Sequence, residues 1–148
     1  MNEQTQRWFP NSMPAPMVDK YSLPWWQACA ENRMTAQRCK SCNHAQLPPA
    51  PLCSECRGND FELTALSGKG RLYTYTAVHQ PVSMEQTLPF IIAVIELDVE
   101  GTPCKNPVRL MSNLVECEEA DLEIGKPVHV VWEKMSDMVS IPRFKFTV

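Results

Sequence analysis

Alternating apolar and polar positions dominate the second half of the chain, from residue 68 onward. Five runs there are rich in β-branched and aromatic residues, which is the composition of β-strands. Turn signals separate them at Glu100-Gly101, Gly125-Lys126-Pro127 and Ser136-Asp137. The predicted strands cover residues 69–80, 88–98, 108–114, 128–135 and 139–146. Five strands with little helix predict a Greek-key barrel of the OB-fold type over residues 67–148.

The same alternation predicts which side chains fill the barrel. Residues two apart on a strand share a face, and bulges shift that spacing locally. The predicted core consists of Leu72, Tyr75, Val78, Ile92, Val94, Leu97, Leu110, Val130, Trp132 and Phe144.

The first 21 residues show neither a helical nor an alternating period. Prolines at positions 10, 14 and 16 interrupt the segment, so we expect an extended arm over residues 1–21. Trp8, Phe9, Met13 and Met17 give it more apolar weight than a solvated tail usually has. Two alternatives remain open, a partly disordered terminus and an arm that lies on another subunit.

A short helix is predicted over residues 22–32. Ser22 is a suitable N-terminal cap, and Pro24 suits the first turn. The helix carries adjacent tryptophans, whose side chains diverge by about 100°. Either one of Trp25 and Trp26 packs on the ribbon and the other contacts a partner, or both cover the ribbon and the neighbouring domain.

Four cysteines define the segment that follows. Cys39, Cys42, Cys53 and Cys56 form two C-x2-C pairs separated by ten residues. Each pair can form a turn that presents two thiolates, and two such turns complete a tetrahedral site. With strands predicted at residues 33–38, 44–47 and 60–65, this pattern predicts a rubredoxin-like zinc ribbon over residues 33–66.

Zinc is favoured over iron because nothing else in the sequence indicates electron transfer. Two disulfides are the other alternative, but no export signal precedes the cysteines, and we expect a cytoplasmic protein. His44 follows the first pair and is expected to lie outside the ligand set, since four thiolates fill the tetrahedron. The longest apolar run, residues 89–97, is far shorter than the roughly 20 residues that span a bilayer.

Nothing in the sequence predicts a catalytic residue. Cys29, Cys104 and Cys117 have no metal-ligand spacing, and none of the three histidines lies in a recognisable catalytic setting. A closed four-thiolate site also leaves no position for a catalytic water.

Six motifs, in order, resemble those of the acyl-CoA-associated zinc-ribbon/OB-fold family, over about residues 22–146. They are WWQACAENR, the cysteine segment CKSCNHAQLPPAPLCSEC, LSGKGRLYTYTAV, LPFIIAVIEL, IGKPVHVVWE and IPRFKF. The resemblance implies a small accessory subunit of a thiolase-like enzyme or a dehydratase that acts on acyl-CoA thioesters. With no fused enzyme domain in this sequence, it favours the stand-alone arrangement, including that of thiolases of aromatic β-oxoacyl-CoA.

The resemblance implies CoA or acyl-CoA as a ligand shared with a thiolase-like catalytic partner in a hetero-oligomer. Residues 33–71 carry a net charge of +3, whereas residues 85–123 carry −7. CoA carries three phosphates, so we expect it near the basic residues of the first region, Lys40, Arg57, Lys69 and Arg71. Those side chains can equally form a solvated surface.

The alternative function is binding of single-stranded nucleic acid, which ribbons and OB-folds both support. It requires aromatic side chains on a basic groove. Tyr73 and Tyr75 could provide the aromatic side chains, or they could belong to the core. A net charge of −3 argues against a surface that follows a phosphate backbone.

Overall fold

The computed structural model describes residues 7–81 and 83–148. The first six residues of the predicted arm lie outside the described part of the chain. The elements are α1 (Leu23–Ala30), β1 (Thr35–Cys39), β2 (Ala45–Gln46), β3 (Phe61–Val78), β4 (Phe90–Val99), β5 (Val108–Leu114), β6 (Pro127–Lys134) and β7 (Ser140–Phe146). A 3₁₀ turn at Glu119–Asp121 joins β5 to β6.

The strands form a small ribbon and a closed barrel. In the ribbon, β1 pairs with β2 on one side and β3 on the other, all antiparallel. The barrel has the order β3-β4-β5-β7-β6 and closes where β6 pairs with β3. This mainly β architecture, with a five-stranded barrel after a cysteine-bearing ribbon, confirms the predicted fold class.

Strand β3 belongs to both units, whereas the sequence predicted two separate strands at residues 60–65 and 69–80. Gly68 and Gly70 made the segment look like a break. In the structure Gly68 has a φ of +77°, and the pairing of β3 with β4 shifts register between Leu66 and Gly70. A Cβ on Gly70 would lie 2.2 Å from the backbone oxygen of Glu96. The glycines therefore bend one long strand from the ribbon into the barrel.

The core contains Leu72, Leu97, Leu110 and Phe144 as predicted, but the predicted face of β4 is wrong. Ile91, Ala93 and Ile95 are buried, and Ile92 and Val94 are only half-buried. Apolar residues occupy both faces of this strand, so no polar position marked the outside. The prediction allowed for bulges without locating them, and the structure has one in β3 between Leu72 and Thr74.

Three other predicted core residues, Val78, Val130 and Trp132, are half-buried, and Tyr75 is exposed. The register shift between Leu72 and Thr74 interrupts the alternation of buried and exposed side chains along β3, and Tyr75 follows this shift. Tyr75 is therefore not a core residue, in contrast to the prediction.

Both tryptophans of α1 are buried within the chain, at the junction of ribbon and barrel. Their rings meet edge to face with centroids 4.7 Å apart, and the indole of Trp25 donates a hydrogen bond to the carbonyl of Thr35 at 3.0 Å. The structure thus supports the alternative in which both cover this junction.

The start of the described arm lies against the barrel of its own chain. The indole of Trp8 donates to a carboxylate oxygen of Glu116 at 3.0 Å, and the ring of Phe9 contacts Phe90 edge-on. Residues 8 and 9 therefore contact the barrel of their own chain, and docking of the arm on another subunit stays a prediction. Further along, Met17 is exposed.

Candidate metal centre

The first cysteine turn begins at the end of β1. The amide of Asn43 donates to the carbonyl of Cys39 at 2.9 Å, and the amide of Cys39 donates to the carbonyl of His44 at 2.9 Å. Asn43 has a φ of 63°, a left-handed conformation that asparagine tolerates better than most residues.

The second turn repeats this geometry. Arg57 takes the place of Asn43, with a φ of 65° and an amide that donates to the carbonyl of Cys53 at 3.0 Å. The neighbouring Gly58 does not adopt a positive φ. Its role is a close approach, because a Cβ there would lie 3.3 Å from the sulfur of Cys56.

The two turns bring all four sulfurs of Cys39, Cys42, Cys53 and Cys56 within 4.8 Å of one another. Two Sγ–Sγ distances are 3.6 Å, Cys39 to Cys56 and Cys42 to Cys53. Zinc–thiolate bonds of about 2.3 Å arranged as a tetrahedron place sulfurs about 3.8 Å apart. The cluster fits a tetrahedral metal ion, and all four cysteines are free thiols rather than disulfides.

Backbone amides prepare two of these sulfurs for metal binding. Hydrogen bonds from the amide of Cys42, and more weakly from that of Ser41, lower the pKa of Cys39 to about 7. In the second turn the amides of Cys56 and Glu55 likewise lower the pKa of Cys53. Because the thiolate is the metal ligand, the turns favour the form that binds zinc.

His44 lies beside the cluster. Its Nε2 is 3.1 Å from the hydroxyl oxygen of Ser54, and its Nδ1 is 3.6 Å from a carboxylate oxygen of Glu55. Both partners belong to the second cysteine turn, so His44 joins the two turns without being a ligand. This is the position outside the ligand set that the sequence indicated.

The four basic residues suggested for CoA divide into two pairs. Lys40 lies in the first cysteine turn, where its ammonium is 3.2 Å from a carboxylate oxygen of Asp60. Lys69 and Arg71 are exposed on β3 and point to the same side, two residues apart. Lys40 and Arg57 thus lie in the two cysteine turns, whereas Lys69 and Arg71 lie in the part of β3 that follows the bend at Gly68.

Burial raises the pKa of two of the remaining cysteines and so disfavours the reactive thiolate. It raises the pKa of Cys29 to about 12. It also raises the pKa of Cys117. In the described part of the chain, the hydrogen bonds and ion pairs of the imidazole side chains of His44, His79 and His129 involve hydroxyl or carboxylate groups, not cysteines.

The two candidate stacking residues for nucleic acid are both exposed. The guanidinium of Arg109 lies 3.8 Å from the ring centroid of Tyr73 and is paired with Glu96. One face of Tyr73 is therefore already occupied. Among the described residues, no helix has the length and apolar character needed to cross a membrane.

Sequence reasoning missed a charged cluster that lies within the barrel wall. The side chain of Glu133 is fully buried. Its carboxylate oxygens lie 2.8 Å from the Nε of Arg143 and 3.3 Å from the Nε of Arg7. Arg143 also donates to the side-chain oxygen of Asn113 at 2.7 Å. The only local signal was a lone acid in an apolar strand, VHVVWEK; Arg143 lies ten residues away on the paired strand β7, and Arg7 lies far away in the arm.

A four-thiolate ribbon joined through one strand to a closed five-stranded barrel defines the class of zinc-ribbon/OB-fold proteins. Residues 26–62 match the model of the ChsH2 rubredoxin-like zinc ribbon domain, and residues 63–133 match that of the ChsH2 C-terminal OB-fold domain. The chain belongs to this family, whose members include DUF35 domain-containing scaffold proteins.

One such scaffold protein, from Methanocaldococcus jannaschii, is 34% identical over 80% of this chain and 82% of its own length. The probable enoyl-CoA hydratase alpha subunit of Thermomonospora curvata is 31% identical over 97% of this chain. This chain spans only 43% of that relative's length.

A shorter match, 31% identical over 45% of this chain and 50% of the relative, is to the benzoylsuccinyl-CoA thiolase subunit BbsA of Thauera aromatica. Among solved structures, the Ltp2-ChsH2(DUF35) aldolase has a chain that superimposes with a TM-score of 0.74 at 30% identity. The match covers 90% of this chain and 100% of that one.

Proposed function

We propose that this protein is a non-catalytic, zinc-binding subunit of a thiolase-type acyl-CoA complex in the cytoplasm. In this role it stabilises the catalytic partner and helps to bind CoA. The observation that carries the proposal is the closed site, in which four sulfurs within 4.8 Å of one another fill a tetrahedral coordination shell. Such a site supplies folding energy and leaves no position for substrate.

The chemistry of thiolytic cleavage supports a division of labour between two chains. That reaction requires a nucleophilic cysteine, a second acid/base cysteine and an activating histidine. Cys29 has a pKa raised to about 12 by burial, which suppresses the thiolate at neutral pH. The acyl-transfer residues are accordingly expected on the partner.

The names of the relatives support the class of partner. They include a thiolase subunit, a hydratase alpha subunit, scaffold proteins and an aldolase, and the names of the first two contain a CoA thioester. A thiolase-like partner is favoured here, with anaerobic degradation of aromatic compounds as the setting.

The partner assignment is tested by purifying the tagged chain from its source organism and identifying the proteins that elute with it. A hydratase- or aldolase-type enzyme in place of a thiolase would contradict the thiolase assignment.

For CoA, Lys69 and Arg71 are the stronger pair of candidates. They extend from the same side of one strand, and neither forms an ion pair among the described residues. Lys40, in contrast, is already paired with Asp60. Phosphate groups bind such free cations through charge-assisted hydrogen bonds.

The CoA assignment is tested by calorimetric titration of CoA into the assembled complex. The double variant Lys69→Ala/Arg71→Ala is compared with Lys40→Ala/Arg57→Ala and with Arg33→Ala, an exposed arginine paired with Glu31. We expect the first variant to weaken CoA binding about tenfold or more and Arg33→Ala to leave it unchanged. Unchanged binding in both double variants would remove the four residues from the CoA site.

Binding of single-stranded nucleic acid has less support. The net charge of −3 opposes attraction of a phosphate backbone, and Arg109 covers one face of Tyr73. A salt-dependent gel shift with single-stranded RNA would restore this alternative.

A further inference from the structure

An apolar cavity of about 780 Å³ lies between α1, the arm and the barrel. Its walls are mainly aromatic and aliphatic and include Phe9, Trp25, Trp26, Leu110, Ile141 and Arg143. Sites for small ligands usually have volumes of about 300–1,000 Å³, mostly apolar walls and a few fixed polar groups. The cavity has these properties, and neither the four cysteines nor Lys69 and Arg71 line it.

The cavity exists because the barrel wall is incomplete between β5 and β7. These strands pair in parallel only at Leu114 and Phe144. Earlier in both strands, the hydrogen bonds across the gap involve side chains: the hydroxyl of Ser112 donates to the carbonyl of Pro142 at 2.5 Å, and Arg143 donates to Asn113 at 2.7 Å. The residues on both sides of this gap, 110–113 and 141–143, line the cavity. The tryptophans of α1 lie opposite them and close it on the ribbon side.

Arg143 is the charged group in the cavity wall, and its neighbours fix its orientation. Its Nε donates to Glu133 at 2.8 Å and its Nη1 to Asn113 at 2.7 Å. Asn113 is held in turn by donation to the carbonyl of Ile91 at 2.9 Å. Phe9 lies 4.4 Å from the guanidinium carbon, measured to the ring centroid. Nη2 has no hydrogen-bond partner among the described residues, so it can donate to a ligand.

The charges around Arg143 favour an anion. Glu133 is fully buried and contacts two guanidinium groups, those of Arg143 and Arg7, at 2.8 and 3.3 Å. One carboxylate cannot neutralise two cations, so this cluster retains one excess positive charge beside an apolar cavity. An anionic group on a ligand would balance that charge in a partly desolvated setting.

We propose that this cavity is a binding site for an aromatic or alicyclic molecule that carries one anionic group. The rings occupy the space beside Trp25, Trp26 and Ile141, and the anionic group accepts hydrogen bonds from Arg143. The site depends neither on bound CoA nor on a partner subunit.

The test uses two fluorescent probes with the same ring system. 1-Anilinonaphthalene-8-sulfonate carries a sulfonate, and N-phenyl-1-naphthylamine is its neutral counterpart. Each is titrated into the zinc-loaded chain, with emission followed both by direct excitation and by energy transfer from tryptophan. We expect one saturable site for each probe, tighter binding of the anion, and efficient transfer from the two tryptophans that line the cavity.

Substitutions in the cavity wall test where the probes bind. Arg143→Gln should weaken binding of the anionic probe at least about tenfold and leave binding of the neutral probe nearly unchanged. The matched control is Arg109→Gln, because Arg109 also pairs with a glutamate and stacks on an aromatic ring but lies outside the cavity. Ile141→Trp should fill the cavity and weaken binding of both probes. Met138→Trp, at an exposed site outside the cavity, should leave binding of both probes unchanged.

Thermal unfolding is measured for every variant, because loosened proteins bind the anionic probe without specificity. If Arg143→Gln does not fold, the comparison of Ile141→Trp with Met138→Trp decides the result. Non-saturable binding to the native chain overturns the proposal. The proposal is also overturned if Arg143→Gln and Arg109→Gln weaken binding of the anionic probe equally, or if Ile141→Trp leaves the affinity for both probes unchanged.

Discussion

The ribbon and the barrel are stabilised in different ways. The fully buried side chains of the barrel include Phe144, Leu72, Ile95, Val108 and Val128, whereas those of the ribbon are chiefly Cys39 and Cys53. Apolar burial contributes about 25 cal/mol per Å², so the barrel obtains its stability from its core. The ribbon, with little apolar volume, depends on its metal. One chain thus combines a unit that folds by apolar burial with one that folds by coordination.

The largest effect expected from this comparison is that of metal removal. Zinc binding contributes roughly 10–16 kcal/mol to the folding of small zinc modules, so chelation should unfold residues 33–66 and leave the barrel folded. Amide hydrogen exchange measures both parts in one experiment. In the proposed complex, chelation should also release the catalytic partner.

Single substitutions separate the ligands from the other cysteines. Cys42→Ser should reproduce the effect of chelation, whereas Cys117→Ser, a half-buried cysteine outside the cluster, should not. If the ribbon amides stayed protected after the metal was removed, the contrast between the two units would be wrong.

The next largest effect is expected in the barrel. Phe144 is fully buried, and Phe144→Ala should lower the free energy of unfolding by about 3–5 kcal/mol through lost burial and the cavity left behind. Because the ribbon depends on coordination, the folded variant should still bind one zinc ion. Chemical denaturation and metal analysis test the two statements. Zinc loss before the barrel unfolds would show that the ribbon needs the barrel core.

Much of both units could be predicted because their signals are local. The cysteine spacing identified the metal cluster, and the strand positions followed from β-branched residues and turns. The face of β4 could not be predicted, because apolar side chains occupy both Ile91 and Ile92. The cavity at Arg143 was also missed, since it depends on incomplete pairing of two strands that lie about 30 residues apart.

A smaller effect should come from the junction between the units. Asn106 accepts a hydrogen bond from the amide of Ala45 at 2.8 Å and donates to the carbonyl of Ala45 at 2.9 Å. Ala45 is almost fully buried, so Asn106→Ala would leave both backbone groups unpaired, at a cost of about 1–3 kcal/mol. Denaturation and hydrogen exchange should show weaker protection of β2. Asn59→Ala, at an exposed position, is the control, and equal losses in both variants would contradict a role for Asn106 at the junction.

The smallest effect concerns one contact of the arm, the exposed hydrogen bond from the indole of Trp8 to Glu116. Hydrogen bonds from Lys145 and Trp8 lower the pKa of Glu116 below its ordinary value of 4.5. Lys145 belongs to β7, so only the part of the lowered pKa that comes from Trp8 concerns the arm. That part stabilises the folded arm above pH 4.5 and is lost as the pH falls through the lower, folded-state value. Tryptophan emission should therefore change in this acidic range, and the change should be absent in Trp8→Phe and in Glu116→Gln. Persistence of the change in Glu116→Gln would assign it to another carboxylate, and the arm would then be held mainly by the contacts of Phe9 with Phe90 and Arg143.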